Sequence, residues 1–296
     1  MDHHLQVFVA VAKHQNFSRA AEELHMTQSA VSLDIKSLEK RYGVRLFERT
    51  NKYVRLTPAG RILEYHAREI LAQYDRLERL LDDLKNTAKG PLLVGASYTF
   101  GEYLLPRIIA GFTVDYPEVI PSITIHNTKQ ITELVLMAEI DLGIVEGEVD
   151  HPNLVVHPFT TDELVVIVPA NSKWRDRTIV EPQELVQENW IIREKGSGTR
   201  TYTDRMFSLT GIEPKSIMEF GSSQVIKESV EAGLGISFLS ENVIRKELRL
   251  GTLQALRMES FPMYRNFSYV THHSQFHTKT VELFLNYLLS LYTIAE

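Results

Sequence analysis

Apolar residues recur at helical spacing from the start of the chain. Leu5, Phe8, Val9 and Ala12 form one stripe, followed by a connecting turn at Asn16-Phe17. Ala20, Ala21 and Leu24 make a second, smaller face, and Ser18 is placed to cap the helix that carries it. His25-Met26 breaks this pattern and Thr27 caps a further helix. In that helix Ala30, Val31, Ile35, Leu38 and Tyr42 recur at helical spacing and are expected to face inward. Gln28, Ser29, Ser32, Lys36 and Ser37 are left on the outer face. Two short helices with small residues at their crossing, the second with a short polar face, predict a helix-turn-helix. Its second helix lies in a DNA major groove. Gly43 suits the C-terminal stop. Glu48 to Leu56 then reads as a short hairpin with Asn51-Lys52 at its tip, whose Arg49, Lys52 and Arg55 would reach flanking phosphates or the minor groove. With Ser18, the candidate DNA-contacting set is Ser18, Gln28, Ser29, Ser32, Lys36, Arg49, Lys52 and Arg55.

Thr57-Pro58 signals a new helix, since Pro at the first helical position loses no hydrogen bond. No breaker follows until Gly90-Pro91. Leu63, Ala67, Ile70, Tyr74, Leu77, Leu81 and Leu84 alternate at spacings of four and three, flanked by charged residues such as Arg68, Glu69, Arg76 and Glu78. So narrow a seam suits a partner helix better than a broad core, and predicts a dimer.

Beyond Gly90-Pro91 the period changes. Strand-like runs at Leu92–Ala96, Ser122–His126 and Asp141–Val145 alternate with helical patterns through Leu104-Ile108-Phe112 and Ile131–Met137. Leu164–Pro169 is a near-continuous apolar strand, and its Asp162-Glu163 lead-in suggests a crossover into a second lobe. There the rhythm repeats: Trp190–Arg193 and a helix after Gly198; Ile217–Phe220 and Val225–Glu231; Gly235–Leu239 and Val243–Leu248. Tyr264–His272 returns the chain and Val281–Leu291 closes it. Two α/β lobes joined by two crossovers are the layout of periplasmic binding proteins. The expected organisation is a winged helix-turn-helix over 1–60, a linker and dimerisation helix over 58–89, and an effector-binding domain over 90–296. Within that domain lobe I covers about 90–162 and 268–296, and lobe II about 163–267.

In open α/β sheets ligands bind beyond the carboxyl ends of the strands. The residues just past each strand are Ser97-Tyr98-Thr99, Asn127-Thr128, Glu146-Gly147, Ser197-Gly198-Thr199-Arg200 and Ser222-Ser223-Gln224. Hydroxyls and amides at helix starts bind an anion with little formal charge, although each residue taken singly is an ordinary cap. The candidate effector set is therefore Ser97, Tyr98, Thr99, Thr128, Glu146, Ser197, Gly198, Thr199, Arg200, Ser222, Ser223 and Gln224, with a small oxyanion or carboxylate as ligand. Glu146 dissents, because a carboxylate repels an anion unless it pairs with Arg200 or Arg193.

Charge changes the picture only when divided along the chain. The net charge is −6 over 296 residues, which argues against a nucleic-acid partner. Residues 1–60, however, carry nine Lys/Arg against six Asp/Glu, residues 61–89 six of each, and residues 90–296 seventeen against twenty-six. The basic excess is confined to the segment expected to meet phosphates. Cysteine is absent, which excludes disulfides, thiolate metal sites and a cysteine nucleophile. No apolar run approaches a membrane span and MDHHLQ lacks a signal-peptide pattern, so a cytoplasmic protein with no membrane partner is expected. No catalytic motif, cofactor fingerprint or metal set stands out, and His272-His273 with His277 reads as a strand end rather than a metal site.

QSAVS at 28–32, then Ile35, Leu38-Glu39, Gly43-Val44-x-Leu46-Phe47-x-Arg49 and Leu56-Thr57-x-Ala59-Gly60 resemble the N-terminal domain of LysR-type transcriptional regulators, almost unbroken from Phe8 to Gly60. The phrase Arg193-Glu194-x-Gly196-Ser197-Gly198-Thr199-Arg200 resembles the subgroup that includes sulfur- and carbon-assimilation regulators. The resemblance implies a transcriptional regulator rather than an enzyme, an effector in the cleft between the lobes, and a dimer or, as is usual in the family, a homotetramer. The rival expectation is a two-lobed small-molecule-binding module or enzyme that uses the N-terminal domain only for assembly.

Overall fold

The computed structural model describes residues 2–50, 53–83, 89–258, 261–273 and 276–293. The chain divides into two compact units, 1–85 with 137–139 and 86–136 with 140–296.

The first unit runs α1 (Asp2–His14), α2 (Phe17–Glu23), α3 (Gln28–Tyr42), β1 (Phe47–Arg49), β2 (Val54–Leu56) and α4 (Pro58–Asp83). Its core joins Leu5, Phe8 and Val11 of α1 to Ala20, Ala21, Val31, Ile35, Leu38 and Ala67. Because α1 touches α2, α3 and α4, it also buries Val7 and Ala10, beyond the expected stripe. Each fully buried Phe or Ile contributes roughly 1.5–3 kcal/mol.

Helix α2 starts two residues earlier than the sequence suggests. Phe17 is its first residue, buried edge-on against Phe47 at 5.9 Å, and the cap is Asn16 rather than Ser18. The Asn16 Oδ1 accepts from the amides of Ser18 (2.9 Å) and Arg19 (3.1 Å). Thr27 caps α3 as expected, accepting from the Ala30 amide, and Gly43 closes it at φ +67° in the left-handed region. Tyr42, expected inward, is exposed, because the buried stripe of α3 ends at Leu38.

The wing strands pair antiparallel, Phe47 opposite Leu56 and Arg49 opposite Val54. The predicted tip, Asn51-Lys52, lies outside the described residues. Glu39 Oε1 accepts from the amides of Leu46 (2.9 Å) and Phe47 (3.4 Å), tying the wing to α3. Thr57 Oγ1 accepts from the Gly60 amide at 3.0 Å, as the N-cap of α4. Along α4, Leu63, Ala67 and Leu71 pack on the core. The rest of the predicted seam, Ile70, Tyr74, Leu77 and Leu81, is exposed in the single chain, and Leu84 lies outside the described residues.

The second unit begins with β3 (Gly90–Ser97), α5 (Tyr98–Tyr103), α6 (Leu105–Asp115), β4 (Val119–His126), α7 (Thr128–Leu136) and β5 (Leu142–Glu146). The helix expected through Leu104-Ile108-Phe112 is α6, with Leu104 just before it, and the short α5 ahead of it was not foreseen. Pro106 has no amide to continue the ladder, and the chain breaks at Leu104. Strands β3, β4 and β5 are parallel. Next, β6 spans Leu154–Pro169, sixteen residues, of which only the apolar end was legible in the sequence.

The second lobe adds β7 (Asn189–Arg193), α8 (Gly198–Thr210), β8 (Ser216–Phe220), α9 (Ser223–Glu231) and β9 (Ser237–Ser240). A 3-10 turn at Glu241–Ile244 leads into α10 (Arg245–Leu250), in place of the one helix expected over Val243–Leu248. Strand β10 (Leu253–Leu256), not foreseen, pairs with β6. Finally β11 (Met263–His272) returns beside β6 and β5, and α11 (Lys279–Thr293) closes the chain. One lobe packs Leu92, Val94, Phe100, Phe112, Phe267 and Phe284. The other packs Leu164, Val166, Trp190, Met206 and Phe238. Strands β6 and β11 run through both lobes, antiparallel with a bulge between Phe267 and Ser268.

Candidate DNA interface and buried effector site

The outer face of α3 carries Gln28, Ser29, Lys36 and Ser37 exposed, with Ser32 partly covered. Gln28 Nε2 donates to Ser32 Oγ at 3.1 Å, and Ser29 Oγ lies 3.0 Å from Thr27 Oγ1. These bonds hold short polar groups close to the helix surface, so its backbone can approach a groove. Ser18 is exposed in the first turn of α2, where its amide serves the Asn16 cap. Arg49 lays its guanidinium 4.1 Å from the Phe17 ring centroid, and Arg55 lies 4.8 Å from that of Tyr53. Stacking pre-orders both side chains at the edge of the wing. Burial draws the Arg49 guanidinium below its ordinary value, against the opposing pull of Glu39, yet it stays charged at neutral pH.

In the second unit the predicted strand-end residues converge on one buried side chain that the sequence reading did not name. Arg265 of β11 is fully enclosed. Its Nε donates to Asp162 Oδ2 (2.8 Å), its Nη1 to Thr199 Oγ1 (2.8 Å) and its Nη2 to Thr99 Oγ1 (3.1 Å). Glu146 Oε1 lies 3.4 Å from Nη1 and also accepts from Thr199 Oγ1 at 3.3 Å; its Oε2 accepts from Ser97 Oγ at 3.1 Å. Thr128 donates to the Glu146 carbonyl at 3.1 Å. Asp162 is completed by Ser240 Oγ (2.6 Å) and Asn242 Nδ2 (2.9 Å). Burial opposes the charge on Arg265, but Glu146 and Asp162 outweigh it and raise the guanidinium above its ordinary value. A buried ion cluster persists only when its lone pairs and protons are this fully bonded.

Glu146 is therefore paired with Arg265, and with neither Arg193 nor Arg200 as expected. Arg200 is turned to Asp204 (2.9 Å) and Glu219 (2.6 Å), and donates to the Arg193 carbonyl at 3.0 Å, bracing α8 against β7 and β8. Arg193, itself buried, forks onto Glu194 at 2.8 and 2.9 Å and donates to Ser223 Oγ at 3.1 Å. Its guanidinium also lies 4.7 Å from the Tyr98 ring centroid. Ser222 caps α9, and Gln224 is held by Tyr103 and Glu228. Gly198 is required by close approach: a Cβ there would sit 2.2 Å from the Glu146 carbonyl oxygen. Ser197, at the start of α8, has a buried Oγ with no hydrogen-bond partner. The structure thus joins Ser97, Thr99, Thr128, Glu146, Gly198 and Thr199, and leaves Arg200, Ser222 and Gln224 in other networks.

Residues 3–61 match the family described as bacterial regulatory helix-turn-helix protein, lysR family, and residues 85–292 match the LysR substrate binding domain. The chain belongs to the LysR family. It is 36% identical to the HTH-type transcriptional regulator CysL of Bacillus subtilis over 288 residues, covering 97% of this chain and 96% of that one. Among solved structures, the Synechocystis CcmR regulatory domain in complex with 2-PG is 28% identical, with a TM-score of 0.66, and spans 70% of this chain and 99% of its own. Full-length CbnR complexed with its target DNA has a TM-score of 0.75 at 21% identity, covering 97% and 98%, and shares the fold.

This LysR-type chain is accordingly a transcriptional regulator with an effector-binding domain, not an enzyme. Among the described residues no helix is long and apolar enough to cross a membrane, and no group of three or more metal-binding side chains is found. Arg265 and Asp162 were missed because they sit mid-strand rather than past a strand end. Strand alternation held the signal: Arg265 shares its face with the buried Phe267, while Tyr264 and Asn266 point to the other side.

Proposed function

We propose that this LysR-type regulator binds double-stranded DNA through α3 and the wing within 1–60, and forms a homodimer through α4 in the linker segment 58–89. We further propose that a small carboxylate or oxyanion held between the lobes of 90–296 modulates it. The exposed line of Ile70, Tyr74, Leu77 and Leu81 on α4 supports the dimer, since a partner helix would cover it. A dimer presents two recognition helices to the two half-sites of an inverted repeat.

The effector reading is carried by the buried hydroxyls of Ser97, Thr99, Thr128 and Thr199, together with the unpartnered Ser197 Oγ at the head of a thirteen-residue helix. Hydroxyls and helix-start amides recognise an anion without adding charge. Two carboxylates already face the one guanidinium of Arg265, which favours a ligand of low charge over a multiply charged one. The complex of CcmR with 2-PG shows a similar domain occupied by a small ligand. Because these hydroxyls are buried and engaged with Arg265 and Glu146, an effector reaches them by parting the lobes and replacing existing partners. Lobe closure around the effector then changes the half-sites a dimer or tetramer engages, to the extent that the effector distinguishes the two states.

Calorimetric titration with sulfite, sulfate and simple carboxylates tests this reading. One compound is expected to bind the wild type and to bind Thr199→Val at least ~10-fold more weakly, the cost of losing one charge-assisted hydrogen bond. Heat from none of them, or equal affinity in the variant, removes the anion from the proposal.

A further inference from the structure

One side chain on α3 does not fit its polar outer face. Leu33 is 66% exposed. With 3.6 residues per turn it lies about half a turn from each of Val31, Ile35 and Leu38, the three buried anchors of the helix. It therefore occupies the middle of the surface that points away from the core. Its helical neighbours are Ser29 and Ser37, four residues to either side, and Lys36, three residues on; all are exposed. Asp34, the next residue, is instead turned to α1, with its carboxylate 3.3 Å from His3 and 3.6 Å from His4. The rotation of α3 is thus set on both sides, and Leu33 leads its outer face.

A scattered surface leucine needs no explanation. This one stands on the outward face of α3, within the surface assigned to the major groove, flanked by the short Ser29 and Ser37 and by the flexible Lys36. The edges of the base pairs there present donors, acceptors and a single apolar group, the 5-methyl of thymine. A leucine in that position leaves donors and acceptors unpaired wherever it meets a guanine, cytosine or adenine edge, and loses nothing against a methyl. We propose that Leu33 is a specificity-determining residue that reads a thymine methyl in each half-site. The proposal rests on α3 being the major-groove helix.

The test uses the full-length protein and a duplex selected by it from a random library. Each thymine of that duplex is replaced in turn by deoxyuridine, which removes only the methyl. Wild type is expected to lose about fourfold in affinity at one thymine of a half-site, the transfer free energy of one buried methyl expressed as a ratio. Leu33→Ala is expected to bind the thymine duplex more weakly and to be indifferent to deoxyuridine at that position, while keeping wild-type responses elsewhere. Alanine is a strong helix former at an exposed site, so α3 stays folded, and an unchanged melting profile checks this. If Leu33→Ala shows the same deoxyuridine penalties as wild type at every thymine, the assignment of Leu33 is overturned while the regulator reading stands. Selection of no sequence at all by the wild type overturns both.

Discussion

Arg265 Nη1 lies 3.4 Å from Glu146 Oε1, and neither side chain reaches solvent. Thr199 Oγ1 stands between them, accepting from the guanidinium at 2.8 Å and donating to the carboxylate at 3.3 Å. Thr99 and Thr199 come from opposite lobes, so one guanidinium ties the lobes together at the proposed effector site. Arg265→Met removes the guanidinium that faces both Glu146 and Asp162 and strands two buried carboxylates. A loss of about 3–5 kcal/mol in stability is expected, from breaking a buried pair by removing one partner. Urea unfolding checks it; a loss below ~1 kcal/mol would mean that the cluster is solvated.

Glu194 links pH to stability. Burial raises its carboxyl, but the forked bond from Arg193, with Asn127, outweighs burial and holds it below the ordinary 4.5. A depressed carboxylate contributes stability above its unfolded value, and that contribution is lost as pH falls through the folded one. Glu194→Gln is therefore expected to unfold at lower urea than wild type at pH 7, and the gap is expected to narrow below about pH 4.5. A gap that persists unchanged at pH 3 contradicts the assignment.

Ser32 and Arg49 are expected to separate base reading from phosphate binding. Ser32→Ala should weaken binding to a selected duplex more than to random DNA. Arg49→Ala should weaken both and reduce the slope of log K against log salt by about one phosphate's worth, ~0.9. Fluorescence anisotropy across a salt series measures both quantities. Equal losses on the two duplexes for Ser32→Ala would take α3 out of the groove.

Leu77 is exposed on the α4 line and has no core of its own to support. Leu77→Glu would place a charge in the proposed helix pair. Sedimentation should show a shift toward monomer, with affinity for an inverted repeat falling ~10-fold or more while a single half-site is bound as before. An unchanged oligomer would move the interface elsewhere.

The residues of 1–60 determined most of their own structure. Periodicity, caps and the Gly43 stop act within a few positions, so α1, α3, the wing strands and the start of α4 were legible one after another. The misreadings were small and came from packing: Phe17 is drawn into the core against Phe47, which advances α2 and moves its cap to Asn16. In 90–296 the strand and helix alternation was equally plain, and it located Ser97, Thr99, Thr128 and Thr199 at the strand ends where they are found. What these residues touch was decided only in three dimensions. Arg265 is 66 positions from Thr199 and 166 from Thr99, and it meets both because β6 and β11 run side by side through the two lobes. No local pattern encodes such a meeting. A buried charge chooses its partners by which carboxylates and hydroxyls the folded chain brings within reach, and that choice turned Glu146 to Arg265 and Arg200 to Glu219.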